Sequence, residues 1–318
     1  RRQRQMCIRD RTSRPAYAED GTTEIGTYSI NPATGQVTFT PTDKSYTGKV
    51  TPVKVQAESS NGIKVDTTYT PEIVPVTPTA TPVETEDIQG ATQTGKPEFK
   101  GGTVTVDGVE KTVAINENVP ATFEDGSTTK TVEGVGTYTV AADGTVTFVP
   151  EKSFVGTAPA VTVVREDKNG TKASATYTPT VTPVTPTAED TTSTDKQGQK
   201  QTGTPTFTPG NPNVPMDDDT PATFEDGSTT KTVPGEGTYT VAPDGTVTFV
   251  PEKSFVGTAP AVTVVREDIN GTKASATYTP TVLPITKFVD KEGKEIPGYP
   301  TVDGEQPKVE IPGYRFVE

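Results

Sequence analysis

The chain has 318 residues, of which 30% are hydrophobic and 7% aromatic, and it contains neither histidine nor tryptophan. Its net charge of −13 argues against nucleic acid and membrane surfaces as partners, because both attract basic patches. The lack of histidine excludes the commonest general base, the Ser-His-Asp and Cys-His arrangements and most zinc sites.

Threonine supplies 63 residues, and 30 prolines and 29 glycines are spread along the chain. Threonine favours strands and is a poor helix former, while proline and glycine at short intervals interrupt helices. The composition therefore predicts an all-β protein. The single cysteine, Cys7, excludes an internal disulfide framework.

The sequence shows no run of about 18 apolar residues and no signal-peptide pattern, so we expect a soluble chain. It begins without methionine, opens partway through a repeat and stops abruptly, two residues after Phe316. We therefore expect a piece of a longer protein.

Residues 1–11, RRQRQMCIRDR, share nothing with the rest of the chain and hold five of its nine arginines. They resemble the translation of a sequencing adapter, and we interpret them as a foreign or disordered scar outside the fold. A basic tail is the alternative interpretation.

Residues 12–71, here repeat one, form a partial and looser copy of a unit that returns twice. Tyr28 in its GTY motif corresponds to Tyr138 in the next copy. Residues 72–84 follow and are rich in proline and threonine. Because closely spaced prolines block both helix and central strand, we predict an extended linker or an edge segment here.

Two full repeats are predicted at residues 85–187 (repeat two) and 188–284 (repeat three), with a period of 101 residues. A unit of this size is a self-contained small domain rather than a solenoid repeat. The 62-residue stretches 120–181 and 221–282 differ at only four positions: Glu133 against Pro234, Val135 against Glu236, Ala142 against Pro243, and Lys168 against Ile269.

The shared stretch alternates apolar and polar residues, which is typical of strands that bury one face. A first hairpin, with an Asp-Gly turn, is predicted to point four side chains to one face: Tyr138, Val140, Val146 and Phe148. A second hairpin is predicted to do the same with Val161, Val163, Ala173, Ala175 and Tyr177.

The second hairpin turns at Asn169-Gly170, for which we predict a type I′ turn with positive φ. A further turn is predicted at Asp125-Gly126. Strands at intervals of about 8 to 12 residues with glycine turns indicate a sandwich or an open barrel. We predict tandem β-sandwich-like domains in an elongated, beads-on-a-string arrangement.

Residues 285–318 differ in composition from the repeats, with many charged residues and the sequence IPGY twice. We predict that they are the truncated start of a small C-terminal β module.

The strings GTYTV, DGTVTF, NGTKASATYTPTV and QTG.P.F closely resemble the CshA-type fibril repeat of Gram-positive, cell-wall-anchored fibrillar adhesins. The resemblance covers about residues 15–284. It implies a fibrillar stalk of tandem repeats on the cell wall, with host binding in a separate N-terminal region. The tail resembles the segment that lies between the last repeat and the cell-wall anchor in that family. It is also similar to mucin-binding-type modules.

Asp217, Asp218 and Asp219 are candidate calcium ligands, because hard cations take clustered oxygen ligands. The acidic turn that starts at Asp167 is a weaker candidate and is explained as a turn. No pattern indicates a catalytic or cofactor-binding site. We therefore predict a protein that is not an enzyme and needs no cofactor.

Three further motifs have simple interpretations. The Asn-Gly-Thr sequences at Asn169 and Asn270 fit the N-glycosylation pattern but also the predicted turns. The sequence LPITK at 283–287 resembles a sortase signal, but no apolar span follows, and we interpret it as linker. Lys152 and Lys253 are possible donors to an isopeptide crosslink.

The resemblance implies, and the repeated self-contained domains fit, a structural stalk segment of a secreted fibrillar adhesin on the cell wall of a Gram-positive bacterium, where it projects a distal adhesive domain. Its predicted partners are neighbouring repeats, and host-surface or extracellular-matrix proteins through regions outside this sequence. The alternative is that the repeats themselves bind host glycan or matrix protein, which requires an exposed aromatic or apolar patch. The sequence does not indicate which residues would bind.

Overall fold

The structure, a computed structural model, describes residues 13–317. The predicted scar at residues 1–11 lies outside the described residues. All regular structure in the described range is β-strand, which confirms the all-β prediction. Residues 13–317 contain no helix that is long and apolar enough to cross a membrane.

Repeat one is built from short antiparallel sheets. Its strands are β1 (Ser13–Tyr17), β2 (Glu24–Ile30), β3 (Val37–Pro41), β4 (Gly48–Lys49), β5 (Val53–Glu58), β6 (Lys64–Tyr69) and β7 (Glu72–Ile73). β1, β2 and β3 form one sheet, while β4 pairs with β7 and β5 with β6. Its small core contains Ala16, Ile25, Tyr28 and Val50.

Repeat two contains two larger sheets and two small ones. Its strands are β8 (Thr79–Thr81), β9 (Val83–Ile88), β10 (Gln93–Gly95), β11 (Glu98–Lys100), β12 (Gly102–Val106), β13 (Val109–Val113), β14 (Thr122–Phe123), β15 (Thr129–Val132), β16 (Gly136–Val140), β17 (Val146–Pro150), β18 (Gly156–Thr157), β19 (Val161–Glu166) and β20 (Lys172–Thr182). The four-stranded sheet has the order β10-β17-β16-β15, and the five-stranded sheet joins β14, β19, β20, β18 and β9.

β8 lies inside the predicted linker 72–84 and pairs antiparallel with β11. Part of this proline-rich segment is therefore a short strand in a two-stranded sheet.

Repeat three has the same two-sheet architecture. Its strands are β21 (Thr187–Glu189), β22 (Thr191–Lys196), β23 (Gln201–Gly203), β24 (Thr206–Thr208), β25 (Thr223–Phe224), β26 (Thr230–Val233), β27 (Gly237–Val241), β28 (Val247–Pro251), β29 (Gly257–Thr258), β30 (Val262–Glu267) and β31 (Lys273–Leu283). The sheets are β23-β28-β27-β26 and β22-β31-β30-β25 with β29 on β31. β22 runs parallel to β31, and Thr191 lies opposite Tyr278.

The alternating pattern explains why each sandwich closes. In β27 and β28, Tyr239 pairs with Phe249, and their rings lie 4.6 Å apart. Tyr278 on β31 meets the Tyr239 ring edge-on at 6.5 Å, so aromatic rings bridge the two sheets. The same one-face pattern occurs in both predicted hairpins of repeat two, where all the predicted side chains are buried. This confirms the predicted tandem β-sandwich fold.

The type I′ prediction for the Asn-Gly turn is wrong. Gly170 has a positive φ of 83°, but Asn169 does not, and its amide donates to the Asp167 carboxylate at 2.8 Å. The Thr171 amide donates to the same oxygen at 2.9 Å, and the Gly170 amide donates to the Asp167 carbonyl at 3.0 Å. This pattern fits a three-residue loop with a glycine bulge, which the Asp167 carboxylate stabilises.

The turn at Asp125-Gly126 is confirmed by a hydrogen bond of 2.9 Å from the Gly126 amide to the Phe123 carbonyl. The strands on its two sides, β14 and β15, belong to different sheets. The turn therefore carries the chain from one layer of the sandwich to the other.

The tail after repeat three contains β32 (Ile285–Thr286) and β33 (Val302–Asp303), which pair antiparallel. Ile285 and Thr286 of the LPITK motif thus form a strand, while Leu283 ends β31.

The chain divides into two compact units. One contains the described residues up to Asp87 together with Ala91–Pro150 and Thr157–Thr180. The other contains Ile88–Gly90, Glu151–Gly156 and the described residues from Val181 onward. A turn and a loop of repeat two therefore belong to the same unit as repeat three.

Candidate functional site

Two of the three candidate calcium ligands, Asp217 and Asp218, have carboxylates that are bound by other groups of the protein. One carboxylate oxygen of Asp217 accepts a hydrogen bond from the Asp219 amide at 3.0 Å, and the other accepts from the Thr220 hydroxyl at 2.9 Å. The Thr220 bond is the main reason why the pKa of Asp217 lies below its ordinary value. Asp218 forms an ion pair with Arg266 at 2.7 Å.

Within residues 13–317, no group of three or more Cys, Asp or Glu side chains is arranged to hold a metal ion. Calcium binding at 217–219 therefore stays a prediction, and the contacts of Asp217 and Asp218 give it no support.

A buried polar network joins the edge strands of repeat two to its core. The Tyr177 hydroxyl lies 2.9 Å from the Thr85 hydroxyl, which donates to the Gln93 side-chain oxygen at 2.6 Å. The Gln93 side-chain nitrogen donates to the Thr180 carbonyl at 2.9 Å. Ser193, Gln201 and Tyr278 form the matching network in repeat three.

The other core tyrosine is also satisfied. Tyr138 donates its hydroxyl to the Pro159 carbonyl at 2.7 Å, and burial raises its pKa to about 12. Tyr239 makes the same bond to Pro260 at 2.7 Å. Because these hydroxyl groups are held inside each sandwich, they stabilise the fold rather than form a reactive site.

One end of each full sandwich is closed by a turn centred on a glutamine, and we call these turns, Ile88–Gly90 and its counterpart 196–198, the Gln turns. The Gln89 amide donates to the Thr182 carbonyl at 2.8 Å, and its side-chain nitrogen donates to the Lys152 carbonyl at 2.8 Å. Gln197 repeats both bonds, to Leu283 at 2.8 Å and Lys253 at 3.0 Å.

The hairpin ends at Asn169-Gly170 and Asn270-Gly271, which we call the Asn tips, have different surroundings. The Asn270 side chain is 8% exposed, and its nitrogen donates to the Gln89 carbonyl at 2.9 Å. Asn169 is half-buried, and its main-chain amide donates to the Asp167 carboxylate at 2.8 Å. Gln89 and Asn270 both belong to the second compact unit.

The structure also locates the remaining sequence motifs. The burial of Asn270 and its bond to Gln89 do not favour glycosylation there. Lys152 and Lys253, the possible isopeptide donors, are both exposed.

Exposed large hydrophobic side chains in repeats two and three are aliphatic, such as Val109, Val149 and Val250. The exposed aromatic side chains of the described residues are Tyr69 in repeat one and Tyr314 and Phe316 in the tail. Among the described residues, the full repeats therefore expose no large aromatic side chain, although the ligand-binding alternative could also use an apolar patch of aliphatic side chains.

The Gln turns and the buried glutamines were not predicted from the sequence. The signal that could have found them is the recurrence of Gln-Gly and Gln-Thr-Gly before both shared stretches, within a region that otherwise differs strongly between the two repeats.

Comparison with solved structures gives several chains to which this chain is similar. Mouse cadherin-23 EC22-24 is 14% identical with a TM-score of 0.32, and the match covers 86% of each chain. The I9-I11 tandem from titin is 12% identical with a TM-score of 0.34, covering 85% of this chain and 88% of that chain.

Repeat domain 13 of the fibrillar adhesin CshA from Streptococcus gordonii is 60% identical with a TM-score of 0.15, and the match covers 22% of this chain and 90% of that chain. No curated protein matches the chain.

The family models give a direct assignment. The model of the surface adhesin CshA repetitive domain matches residues 4–73, 75–181 and 183–282, and the SSSPR-51 domain matches residues 284–318. The three matches to the first model cover most of the chain. The chain therefore belongs to the family of surface adhesin CshA repetitive domains.

Proposed function

We propose that this chain is a stalk segment of a fibrillar adhesin on the cell wall of a Gram-positive bacterium. Its role is to hold a distal adhesive domain away from the cell, and it performs no catalysis. The proposal rests mainly on how the aromatic side chains are used: in each full repeat the large rings pack inside a closed sandwich.

The physical argument is that a sandwich with its own core can be duplicated without loss of stability. Repeat three has a cluster of eleven buried residues, including Tyr239, Phe249 and Tyr278, contributed by its own two sheets. A tandem array of such domains extends by addition of further copies, which suits a spacer.

Small-angle X-ray scattering on the 318-residue chain tests this proposal. End-to-end domains whose strands rise about 3.3 Å per residue give a maximum dimension of about 100–150 Å. A compact particle of about half that dimension would contradict a stalk.

Binding assays distinguish the stalk from the alternative in which the repeats bind host molecules. We expect no retention of the chain on beads coated with mucin or extracellular-matrix protein. Saturable retention that survives removal of the tail from residue 284 onward would place binding in the repeats and overturn the proposal.

A further inference from the structure

The two Asn tips have nearly the same sequence but different partners. Asn270 is buried and donates its side-chain nitrogen to the main-chain carbonyl of Gln89, 181 residues away in sequence. The Gln89 side-chain nitrogen also lies 3.4 Å from the Thr272 hydroxyl. Two hydrogen bonds therefore connect the Gln turn of repeat two with the Asn tip of repeat three.

The turn itself does not require asparagine at this position. In both tips the positive φ belongs to the glycine, and the asparagine contributes its main-chain amide to the preceding aspartate. Most residues can supply that amide, so the side-chain amide of the asparagine is left without a role inside the turn. At Asn270 this side chain finds its partner on Gln89.

Hydrogen bonds within repeat two hold the side chain of Gln89 in place. The Gln89 side-chain oxygen accepts the Val184 amide at 3.2 Å, and its nitrogen is held by the Lys152 carbonyl. Gln89 is 5% exposed, and its main-chain amide donates to the Thr182 carbonyl at 2.8 Å, so hydrogen bonds hold both its main chain and its side chain. An incoming side-chain amide therefore meets a rigid acceptor.

The contact is small and polar. A cleft of about 270 Å³ remains beside it, lined in repeat two by Ser153, Val155, Pro183 and Val184. Because this space is not filled by side chains, the hydrogen bonds of Asn270 supply more of the specificity than apolar packing does. Position 269, next to Asn270, is one of the four that differ between the two shared stretches, with isoleucine in place of Lys168.

We propose that the Gln turn of one repeat and the Asn tip of the repeat that follows it form a directional joint, with asparagine as the recognising residue. The partner of each Asn tip is therefore the Gln turn of another repeat of the same kind. Within the two full repeats, the Asn169 tip and the Gln197 turn are the halves of this joint that do not meet each other's kind in the described residues.

The joint deepens the proposed function, because it names the contact through which neighbouring repeats would associate. The stalk proposal and the joint proposal can fail separately. Scattering measures the length of the chain, whereas the experiments below measure the spread of distances across one joint.

Spin-label distance measurements on the full chain test the joint. Labels are placed on Lys130→Cys and Lys231→Cys, which are exposed, in a Cys7→Ser background. We expect a narrow distance distribution, and in Asn270→Ala we expect a broad one, since loss of the bond raises the open population about fivefold.

Asn169→Ala is the matched control, because it alters the same turn where no Gln turn is bound. We expect its distribution to stay narrow. A broad distribution in the starting chain, no broadening in Asn270→Ala, or equal broadening in both variants overturns the joint.

A second pair of variants tests the same contact from the Gln side. Gly90 and Gly198 have positive φ values of 83° and 80°, so alanine strains both turns equally. A Cβ at Gly90 would collide with the Asn270 side chain, whereas a Cβ at Gly198 would meet open space. We expect broadening with Gly90→Ala only, and an equal response of the two variants contradicts the joint.

Discussion

Repeats one and two contain the same first hairpin but bury it differently. Tyr28 lies opposite Phe39 with ring centroids 5.6 Å apart, and Tyr138 lies opposite Phe148 at 4.6 Å. Phe148 is fully buried, whereas Phe39 is only partly buried against the core of repeat one. The hairpin itself is therefore specified locally, but its burial depends on what covers it.

The second hairpin shows the difference more strongly. Tyr177 is fully buried, while its counterpart Tyr69 is 37% exposed. β20 is one continuous strand of eleven residues, but the matching stretch of repeat one is divided into β6 and β7. Every residue of β6 is exposed.

The cause lies in two strands that repeat two adds to its sandwich. β9 pairs with β20, and β10 pairs with β17 and passes so close to the Tyr177 ring that a Cβ on Gly95 would collide with it. The described residues of repeat one provide no counterpart of β9 or β10. The comparison teaches that the near-identical stretch forms the hairpins, while the variable strands before it close the core.

The largest expected effect is at the second tyrosine. Tyr177→Ala removes a fully buried ring from between two sheets and should lower the free energy of unfolding of repeat two by about 3–5 kcal/mol. Tyr69→Ala, at an exposed position, should cost about 1 kcal/mol or less. Hydrogen exchange of the amides in each repeat measures the two costs separately. Equal costs would contradict the idea that β9 and β10 bury the ring.

A smaller effect is expected at the glutamine that ties the added strands to the core. Gln93→Ala removes bonds to Thr85 and Thr180 in a buried site, which should destabilise repeat two by about 1–3 kcal/mol. The exposed Gln199 of repeat three provides the control. Its alanine variant should change the free energy of unfolding of repeat three by less than about 0.5 kcal/mol. Hydrogen exchange in β9 and β10 reports the result, and protection unchanged by Gln93→Ala would refute the role of this residue.

Local patterns predicted the hairpins because alternation and glycine turns act between residues that are close in sequence. The pairing of β22 with β31 could not be predicted in this way, since Thr191 meets Tyr278 across 87 residues and no local pattern records that partner. The prediction of a type I′ turn was wrong because an Asn-Gly pair occurs in more than one type of turn. Here the hydrogen bond to the Asp167 carboxylate favours the longer loop. The contact of Asn270 with Gln89 could not be predicted from the sequence, because Asn169 occupies the same position in a nearly identical stretch and has different surroundings.

The smallest expected effect concerns the turn of the first hairpin, where repeat two has Asp143 and repeat one has Thr34. The Asp143 carboxylate accepts hydrogen bonds from Lys96 at 2.9 Å and from the Thr145 amide at 3.0 Å, which hold its pKa well below the ordinary value. Because the folded-state pKa is depressed, this carboxylate stabilises the hairpin above about pH 4, and the stabilisation is lost as the pH falls through the folded pKa.

Nuclear magnetic resonance can follow this turn residue by residue. The Thr145 amide shift should titrate with a midpoint below that of an ordinary aspartate, and the Lys96→Ala variant should move the midpoint upward, since the lysine bond is the largest cause of the shift. The ion pair is exposed, so its contribution to stability should stay below about 1 kcal/mol. The Gln36 amide, which donates to Thr34 at 3.3 Å, provides the comparison because threonine carries no titrating group. A Thr145 midpoint that Lys96→Ala leaves unchanged would show that the turn, and not the lysine, sets the acid response of repeat two.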